Sequence, residues 1–180
     1  MSKRATGLSL GEYAIMGVLR ERAMHGYEIA RRFSADLDLG LVLPMDMSTV
    51  YALLKELHEE GLIEGQREVV GLRPPRTVYQ LTPDAEGQFQ RWLEEPVHRL
   101  REVRADLLVK LYFCRAIGSI AAARLLDAQI TAGNEYLDRA QRLADEAEPS
   151  SFERLFRSSK VGAALATLAW LRDERARLAG

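Results

Sequence analysis

Apolar positions in the first part of the chain recur at helical spacing in separate segments. Ser9 and Glu12 have the S-x-x-E spacing of a capping box, so the first helix should begin at Ser9. The pattern restarts with Ile29, Ala30 and Phe33, which predicts a second helix over residues 25–36. Residues 37–44, which end in a proline, should then form a connector.

A third helix should begin at Asp46 or Ser48, both of which are N-cap residue types, and end at Gly61. Four apolar residues at helical spacing form its inward stripe: Val50, Leu53, Leu54 and Leu57. The residues left facing outward include Ser48, Thr49, Tyr51 and Lys55.

Beyond this helix the apolar period changes to that of strands. Residues 62–70 predict one strand, residues 71–75 a turn, and residues 76–81 a returning strand. Thr82 followed by Pro83 supplies an N-cap and a first helical proline, which indicates a fourth helix. Three helices followed by a hairpin is the order of a winged helix.

The second half of the chain predicts helices only, over residues 103–116, 119–146 and 152–178. The middle helix carries a narrow seam with the 4, 3, 4, 3, 4 spacing of a coiled coil: Leu126, Ile130, Gly133, Leu137, Ala140 and Ala144. The last helix is alanine-rich and adds Leu165 and Leu168. Such helices cannot easily cover their own apolar faces, so we expect a second copy of the chain to cover Leu126, Ile130, Leu137, Leu165 and Leu168.

These patterns give the fold class: mostly α with a small β-hairpin. We expect a winged helix-turn-helix over residues 1–96 and a C-terminal α-helical dimerisation domain over residues 97–180. The 180 residues, 47% hydrophobic and 28% charged, are typical of a folded globular protein. We find no apolar run long enough to span a bilayer and no signal peptide, which indicates a cytoplasmic protein without a membrane partner. The single cysteine, Cys114, lies in an apolar stretch and should be buried.

Charge is distributed in a way that the net value of −1 conceals. Residues 1–95 hold 11 basic and 15 acidic residues, yet residues 47–55 and 69–81 contain no acid. Arg73 and Arg76 lie in the second of these segments, which is the predicted wing. The third helix and the wing can therefore carry local positive charge suited to double-stranded DNA. Spacing alone leaves two alternatives open, a solvated helix face and a winged-helix protein-interaction module that does not bind DNA.

Several short motifs follow one another along the chain: Leu8-Ser9, His25-Gly26-Tyr27-Glu28-Ile29, Ser48-Thr49-Val50-Tyr51 with Leu54 and Leu57, Glu60-Gly61-Leu62-Ile63, and Arg76-x-x-Tyr79-x-Leu81-Thr82. In their order and spacing they resemble the PadR family of transcriptional regulators. Trp92-Leu93-x-x-Pro96 and the segment 104–113 are similar to the junction in longer family members. The resemblance spans residues 8–114.

The resemblance implies a homodimeric regulator, usually a repressor, that binds an inverted-repeat operator. Its DNA-contacting positions correspond here to Ser48, Thr49, Tyr51, Lys55, Arg73 and Arg76. It further implies pairing through the C-terminal helices. Some such relatives sense small aromatic molecules, and Phe89, Trp92, Tyr112 and Phe113 could line such a pocket, although their helical spacing favours a core role.

We expect neither an enzyme nor a metal or other cofactor. His25 is predicted to pack or cap at the start of the second helix, although an enzyme using it stays open as a third hypothesis. His58 and His98 lack partners at ligand-like spacing. The chain contains no phosphate-binding glycine loop and no serine elbow.

Overall fold

The structure is a computed structural model that describes residues 7–68, 76–98 and 103–178. Its chain divides between Leu93 and Glu94 into two compact units. The first unit contains α1 Leu10–Glu21, β1 Met24–His25, α2 Gly26–Arg31, α3 Asp38–Val42, α4 Met47–Glu59, β2 Ile63–Glu68, β3 Arg76–Leu81 and α5 Pro83–Glu94. The second contains a π-helical turn at Val103–Leu107, then α6 Leu108–Ile117, α7 Ser119–Asp145 and α8 Phe152–Arg177. The functional division at residue 96 stays a prediction.

The first helix begins as the capping box predicts. The Ser9 hydroxyl accepts a hydrogen bond from the Glu12 backbone N–H at 3.3 Å, and the Glu12 carboxylate accepts one from the Ser9 N–H at 2.8 Å. Two N–H groups that the helix leaves unpaired are thereby satisfied. In this helix Ala14, Ile15, Met16, Val18 and Leu19 are buried and form part of the first unit's core.

The prediction of one helix over residues 25–36 holds at its start, where His25 is the N-cap residue, and is wrong at its end. His25 has an extended backbone and belongs to β1, while α2 ends at Arg31. Beyond Arg31 the chain tightens into shorter turns, with the Ser34 N–H donating to the Arg31 carbonyl at 3.2 Å. The predicted connector contains the short helix α3, where Gly40 lies so close to the Ser34 carbonyl that a Cβ would come within 1.9 Å. Only glycine fits where these two backbone segments approach so closely.

The end of α4 confirms Gly61 as its stop. Gly61 adopts a φ of 73°, which glycine tolerates without the cost of a side chain. The Leu62 N–H donates to the Leu57 carbonyl and the Gly61 N–H to the His58 carbonyl, the two hydrogen bonds of a Schellman motif. Because this cap reverses the chain, β2 starts directly after it.

A three-stranded antiparallel sheet completes the first unit, in the order β1, β3, β2. The hairpin of β2 and β3 confirms the predicted wing, with Gly65 opposite Tyr79 and Glu68 opposite Arg76. Two predicted strand residues, 69 and 70, lie outside the described part of the chain. The third strand, β1, was not predicted, because two residues are too few to show a period.

Candidate nucleic-acid interface

One face of α4 is buried in the first unit and the other is exposed. Val50, Leu54 and Leu57 are fully buried, whereas Leu53 is only half-buried. The four residues predicted to contact DNA from this helix are all exposed: Ser48, Thr49, Tyr51 and Lys55. Within its own unit, therefore, the predicted DNA-contacting face of α4 is open to solvent. Contact of these residues with DNA stays a prediction.

At the start of α4, Asp46 acts as the N-cap. Its carboxylate accepts hydrogen bonds from the Thr49 N–H at 2.7 Å and from the Ser48 hydroxyl at 2.8 Å. These bonds hold the pKa of the Asp46 carboxyl below its usual value, and the bond from the Thr49 N–H has the largest effect. Because Ser48 donates its only hydroxyl proton to Asp46, its oxygen is left as an acceptor toward a ligand.

Tyr51 lies against α2 and next to the wing. A Cβ on Gly26 would come within 2.8 Å of Tyr51 Cε1, so the ring covers the backbone at the start of α2. Burial raises the pKa of the Tyr79 hydroxyl on β3, and the nearby Tyr51 raises it further. Tyr79 in turn lies over Gly65 of β2, where a Cβ would be 3.4 Å from its ring. Tyr51 thus lies beside the start of α2 and near Tyr79 of β3, while 43% of it remains exposed.

The described cations of the predicted interface lie near acids. Lys55 Nζ is 3.8 Å from Glu59 Oε1, and both side chains are well exposed. Arg76 is exposed at the start of β3, opposite Glu68 in the sheet register. Arg73 lies outside the described residues. An exposed pair of this kind is weak and exchanges readily for a phosphate, so it lowers the local positive potential without blocking binding.

The aromatic residues predicted as an effector pocket pack within their own units. In the first unit, Phe89 is fully buried and Trp92 stacks on Tyr13 with ring centres 4.5 Å apart. In the second, Tyr112 and Phe113 form an edge-to-face pair with centres 5.1 Å apart. These contacts explain the four residues as packing groups. Their role in binding an effector stays a prediction.

The seam predicted on α7 requires a correction. Leu126 and Leu168 are each only 1% exposed in the single chain, so neither is available to a partner. The reason is that α8 folds back along α7, and Gly133 admits Leu168 so closely that a Cβ would lie 2.8 Å from its Cδ2. Ile130 and Leu137 are half-buried, and Leu165 is 49% exposed.

Two buried polar side chains in the second unit were not singled out from the sequence. Gln129 accepts from the Val97 N–H at 2.7 Å and donates to the Val97 carbonyl at 2.9 Å. Lys110 donates to the Glu95 carbonyl, and burial lowers its pKa. The sequence signal that could have found them is a polar residue within an apolar pattern. Together they fix residues 95–97 to the body of the second unit.

His25 is the N-cap residue of α2, which confirms its predicted place at the start of this helix. The His25 N–H donates to the Glu28 carboxylate at 3.1 Å, and His25 Nε2 is 3.7 Å from Glu68 Oε2. Within the described ranges, no three His, Cys, Asp or Glu side chains are grouped so that they could hold a metal. Cys114 is buried, as predicted. Among the described helices, none is long and apolar enough to cross a membrane.

Comparison with known proteins finds one family match in each of the two units. Residues 15–91 match the transcriptional regulator PadR-like family, and residues 103–179 match the virulence activator alpha C-term family. The negative transcriptional regulator PadR of Bacillus subtilis (strain 168) is 28% identical over 145 residues, which are 78% of this chain and 79% of that protein.

Solved structures give similar matches. A crystal structure of Bacillus subtilis PadR in complex with operator DNA is 24% identical, with 94% of this chain and 99% of that one covered and a TM-score of 0.46. One of the same protein in complex with p-coumaric acid is 23% identical, with 96% and 100% covered and a TM-score of 0.44. The family models confirm the prediction of a regulator rather than an enzyme. The chain therefore carries a domain of the PadR-like family of transcriptional regulators over residues 15–91, followed by a virulence activator alpha C-term region over residues 103–179.

Proposed function

We propose that this regulator is a DNA-binding repressor that binds an inverted-repeat operator as a homodimer. The observation that carries the proposal is the exposed outward face of α4, beside a two-stranded wing. A helix presented in this way can enter the major groove while the wing follows the neighbouring backbone. Repression rather than activation of transcription is supported by the similarity to the Bacillus subtilis negative regulator.

We assign each predicted contact residue a role that its chemistry allows. Ser48, as an acceptor, suits a base amino group, and Thr49 and Tyr51 offer hydroxyls to base edges or phosphates. Lys55 and the wing residues Arg73 and Arg76 supply phosphate contacts. These contacts position the helix, while the hydroxyl-bearing residues distinguish bases.

A homodimer places two such helices in successive major grooves, about one helical turn apart. Pairing through the second unit is supported by the family resemblance and by the apolar side chains that the unit leaves exposed. The proposal includes a small aromatic effector, for which Phe89, Trp92, Tyr112 and Phe113 stay the residues predicted from the sequence. It also places the protein in the cytoplasm, where a regulator meets its operator.

A salt titration of operator binding tests the proposal. Fluorescence anisotropy with labelled DNA from upstream of the gene should show specific binding that weakens with salt. Three cations from each protomer predict a slope of log affinity against log salt of about −5, and Lys55→Ala should make it shallower by about 2. Arg91→Ala removes an exposed positive charge from α5 and serves as the matched control.

Two results would contradict the proposal. Absence of specific binding to any upstream fragment would favour the alternative of a winged-helix protein-interaction module. Specific binding with equal salt slopes in wild type, Lys55→Ala and Arg91→Ala would show that DNA contacts another surface than the face of α4.

A further inference from the structure

The strand register divides the wing hairpin of β2 and β3 into two faces. Side chains alternate between the faces along each strand, and residues directly opposite each other in the register share a face. One set lies on the side of the buried Ile63, and we call it the Tyr79 face: Ile63, Gly65, Arg67, Thr77, Tyr79 and Leu81. The alternate residues form the other side, which we call the Glu68 face: Glu64, Gln66, Glu68, Arg76, Val78 and Gln80.

Contacts between side chains agree with this division. On the Tyr79 face, a Cβ on Gly65 would lie 2.9 Å from Thr77 Cγ2 and 3.4 Å from the Tyr79 ring. On the Glu68 face, Gln80 Nε2 donates to Glu64 Oε2 at 3.1 Å. Because Gly65 has no side chain, Thr77 and Tyr79 can lie over the backbone of β2 on their own face.

The charges of the hairpin are divided unequally between the two faces. On the Tyr79 face Arg67 is exposed, and it is the one charged side chain among the described residues of that face. On the Glu68 face the carboxylates of Glu64 and Glu68 outnumber the single cation, Arg76, which lies directly opposite Glu68. A phosphate backbone is therefore attracted to the Tyr79 face and meets a net negative charge on the Glu68 face.

The Tyr79 face also borders the exposed face of α4. At its base Ile63 is only 1% exposed, because this side of the hairpin covers the core of the first unit. Farther along, Tyr79 pairs with Met24 of β1, and Tyr51 of α4 lies over Gly26, two residues after Met24. A duplex that contacts Tyr51 on α4 therefore approaches the wing from its Tyr79 side.

Arg67 stands at a suitable height on this face to bind the DNA backbone. It follows Gly65, the residue opposite Tyr79, by two positions, so its backbone lies about 7 Å farther along the wing. The major groove is about 12 Å wide, and its bordering phosphates therefore run close beside a helix that occupies it. A guanidinium at this position can bind a phosphate through two parallel hydrogen bonds. Thr77, opposite Arg67, brings an exposed hydroxyl-bearing side chain to the same level.

We infer that the wing turns its Tyr79 face to the DNA and that Arg67, with Thr77 beside it, binds the phosphate backbone next to the groove that α4 enters. Neither residue is among the contacts assigned above, so Arg67 adds a fourth cation to the three of each protomer. This assignment rests on the proposed function, since it names the part of the wing that meets the operator. A phosphate contact carries no sequence information, so Arg67 strengthens binding to every DNA sequence alike.

Salt titrations of the full-length protein on labelled operator DNA, followed by fluorescence anisotropy, test the role of Arg67. Arg67→Ala should weaken binding about tenfold or more at low salt. It should also make the slope of log affinity against log salt shallower by about 2, because each protomer loses one phosphate contact. Arg67→Lys keeps the positive charge and should keep the slope. The loss in Arg67→Ala should be the same on a fragment that lacks the operator.

A carboxylate placed on one face or the other tests which of them meets the DNA. Thr77→Glu places it opposite Arg67 and should weaken binding about a hundredfold through repulsion of the phosphates. Gln66→Glu places the same group on the Glu68 face and should lower affinity only a few-fold, and both positions are exposed. Thr77→Gln has the same size without the charge, and thermal unfolding shows whether any variant harms the fold.

The outcomes separate the orientation of the wing from DNA binding itself. A shallower slope in Arg67→Ala but not in Arg67→Lys, with a larger loss in Thr77→Glu than in Gln66→Glu, supports the inference. An unchanged slope in Arg67→Ala, on an operator whose binding Lys55→Ala weakens, overturns it and leaves the proposed function standing. A loss in Gln66→Glu as large as that in Thr77→Glu also overturns it. Absence of specific binding by the wild-type protein refutes the proposed function and the inference together.

Discussion

Gly26→Ala should weaken operator binding although residue 26 is not among the predicted DNA contacts. The new Cβ would lie 2.8 Å from Tyr51 Cε1, 2.9 Å from Cζ and 3.0 Å from Oη. Ordinary contact begins near 3.4 Å, so the ring has to move by roughly 0.6 Å or more. The contacting atoms are the far end of a flexible side chain, and the cheapest response is for the Tyr51 ring to rotate outward.

The cost of this movement should fall on binding rather than on folding. Gly26 does not have a positive φ, so alanine is conformationally allowed there, and its better helix propensity offsets part of the strain. A displaced Tyr51 loses a hydrogen bond worth about 1 kcal/mol at each half-site. For a dimer on both half-sites the loss is about 2 kcal/mol, or roughly thirtyfold in affinity. Anisotropy titrations and thermal unfolding measure the two effects separately.

A double-mutant cycle makes the reasoning refutable. In a Tyr51→Ala background, Gly26→Ala should have no further effect on operator affinity, because the ring it displaces is gone. Gly87→Ala on α5 is the matched control, since its Cβ would meet only Arg91 Nη1 at an ordinary 3.6 Å. Additive losses in the cycle, or unchanged affinity in Gly26→Ala, would show that Tyr51 does not transmit the change.

Three further variants test other parts of the structure. Leu54→Ala removes a fully buried side chain of α4 and should lower the free energy of unfolding by about 2–5 kcal/mol in urea titrations; a smaller loss would mean that the site collapses around the cavity. The lowered Asp46 pKa means that this carboxylate stabilises the fold above its ordinary pKa and that the benefit is lost as pH falls through the folded value. The stability difference between wild type and Asp46→Asn should therefore shrink on acidification, and a constant difference would argue against the lowered pKa of Asp46. Gln129→Leu leaves the buried N–H and carbonyl of Val97 unpaired and should cost about 1–3 kcal/mol for each, whereas Gln141→Leu on the exposed side of α7 should be neutral in the same denaturant assay.

The sequence predicted those elements whose signal is local. The capping box at Ser9, the N-cap at Asp46 and the glycine stop at Gly61 each lie within a few residues, and the structure confirms all three. The strand β3 was predicted to the residue, because its turn signals bound it on both sides.

What could not be predicted depends on contacts between distant residues. Only the pairing with Tyr79 makes Met24 a strand residue. The seam on α7 was recognised as a pattern, but the pattern does not say whether the covering helix comes from the same chain or from another. Leu126 and Leu168 are covered by their own chain. Neither the contact of Tyr51 with Gly26 nor that of Gln129 with Val97 leaves a trace in local spacing.

The junction of β1 and α2 at His25 limits how the wing can vary. His25 is both the last residue of β1 and the residue before the first turn of α2, and it pairs with Val78 of β3. The register of the returning strand therefore sets where α2 starts, and with it the position of Gly26 beneath Tyr51. Insertions between Glu68 and Arg76 can lengthen the wing and alter its reach without moving this junction. A one-residue slip of β3 would instead shift the whole predicted DNA-contacting surface.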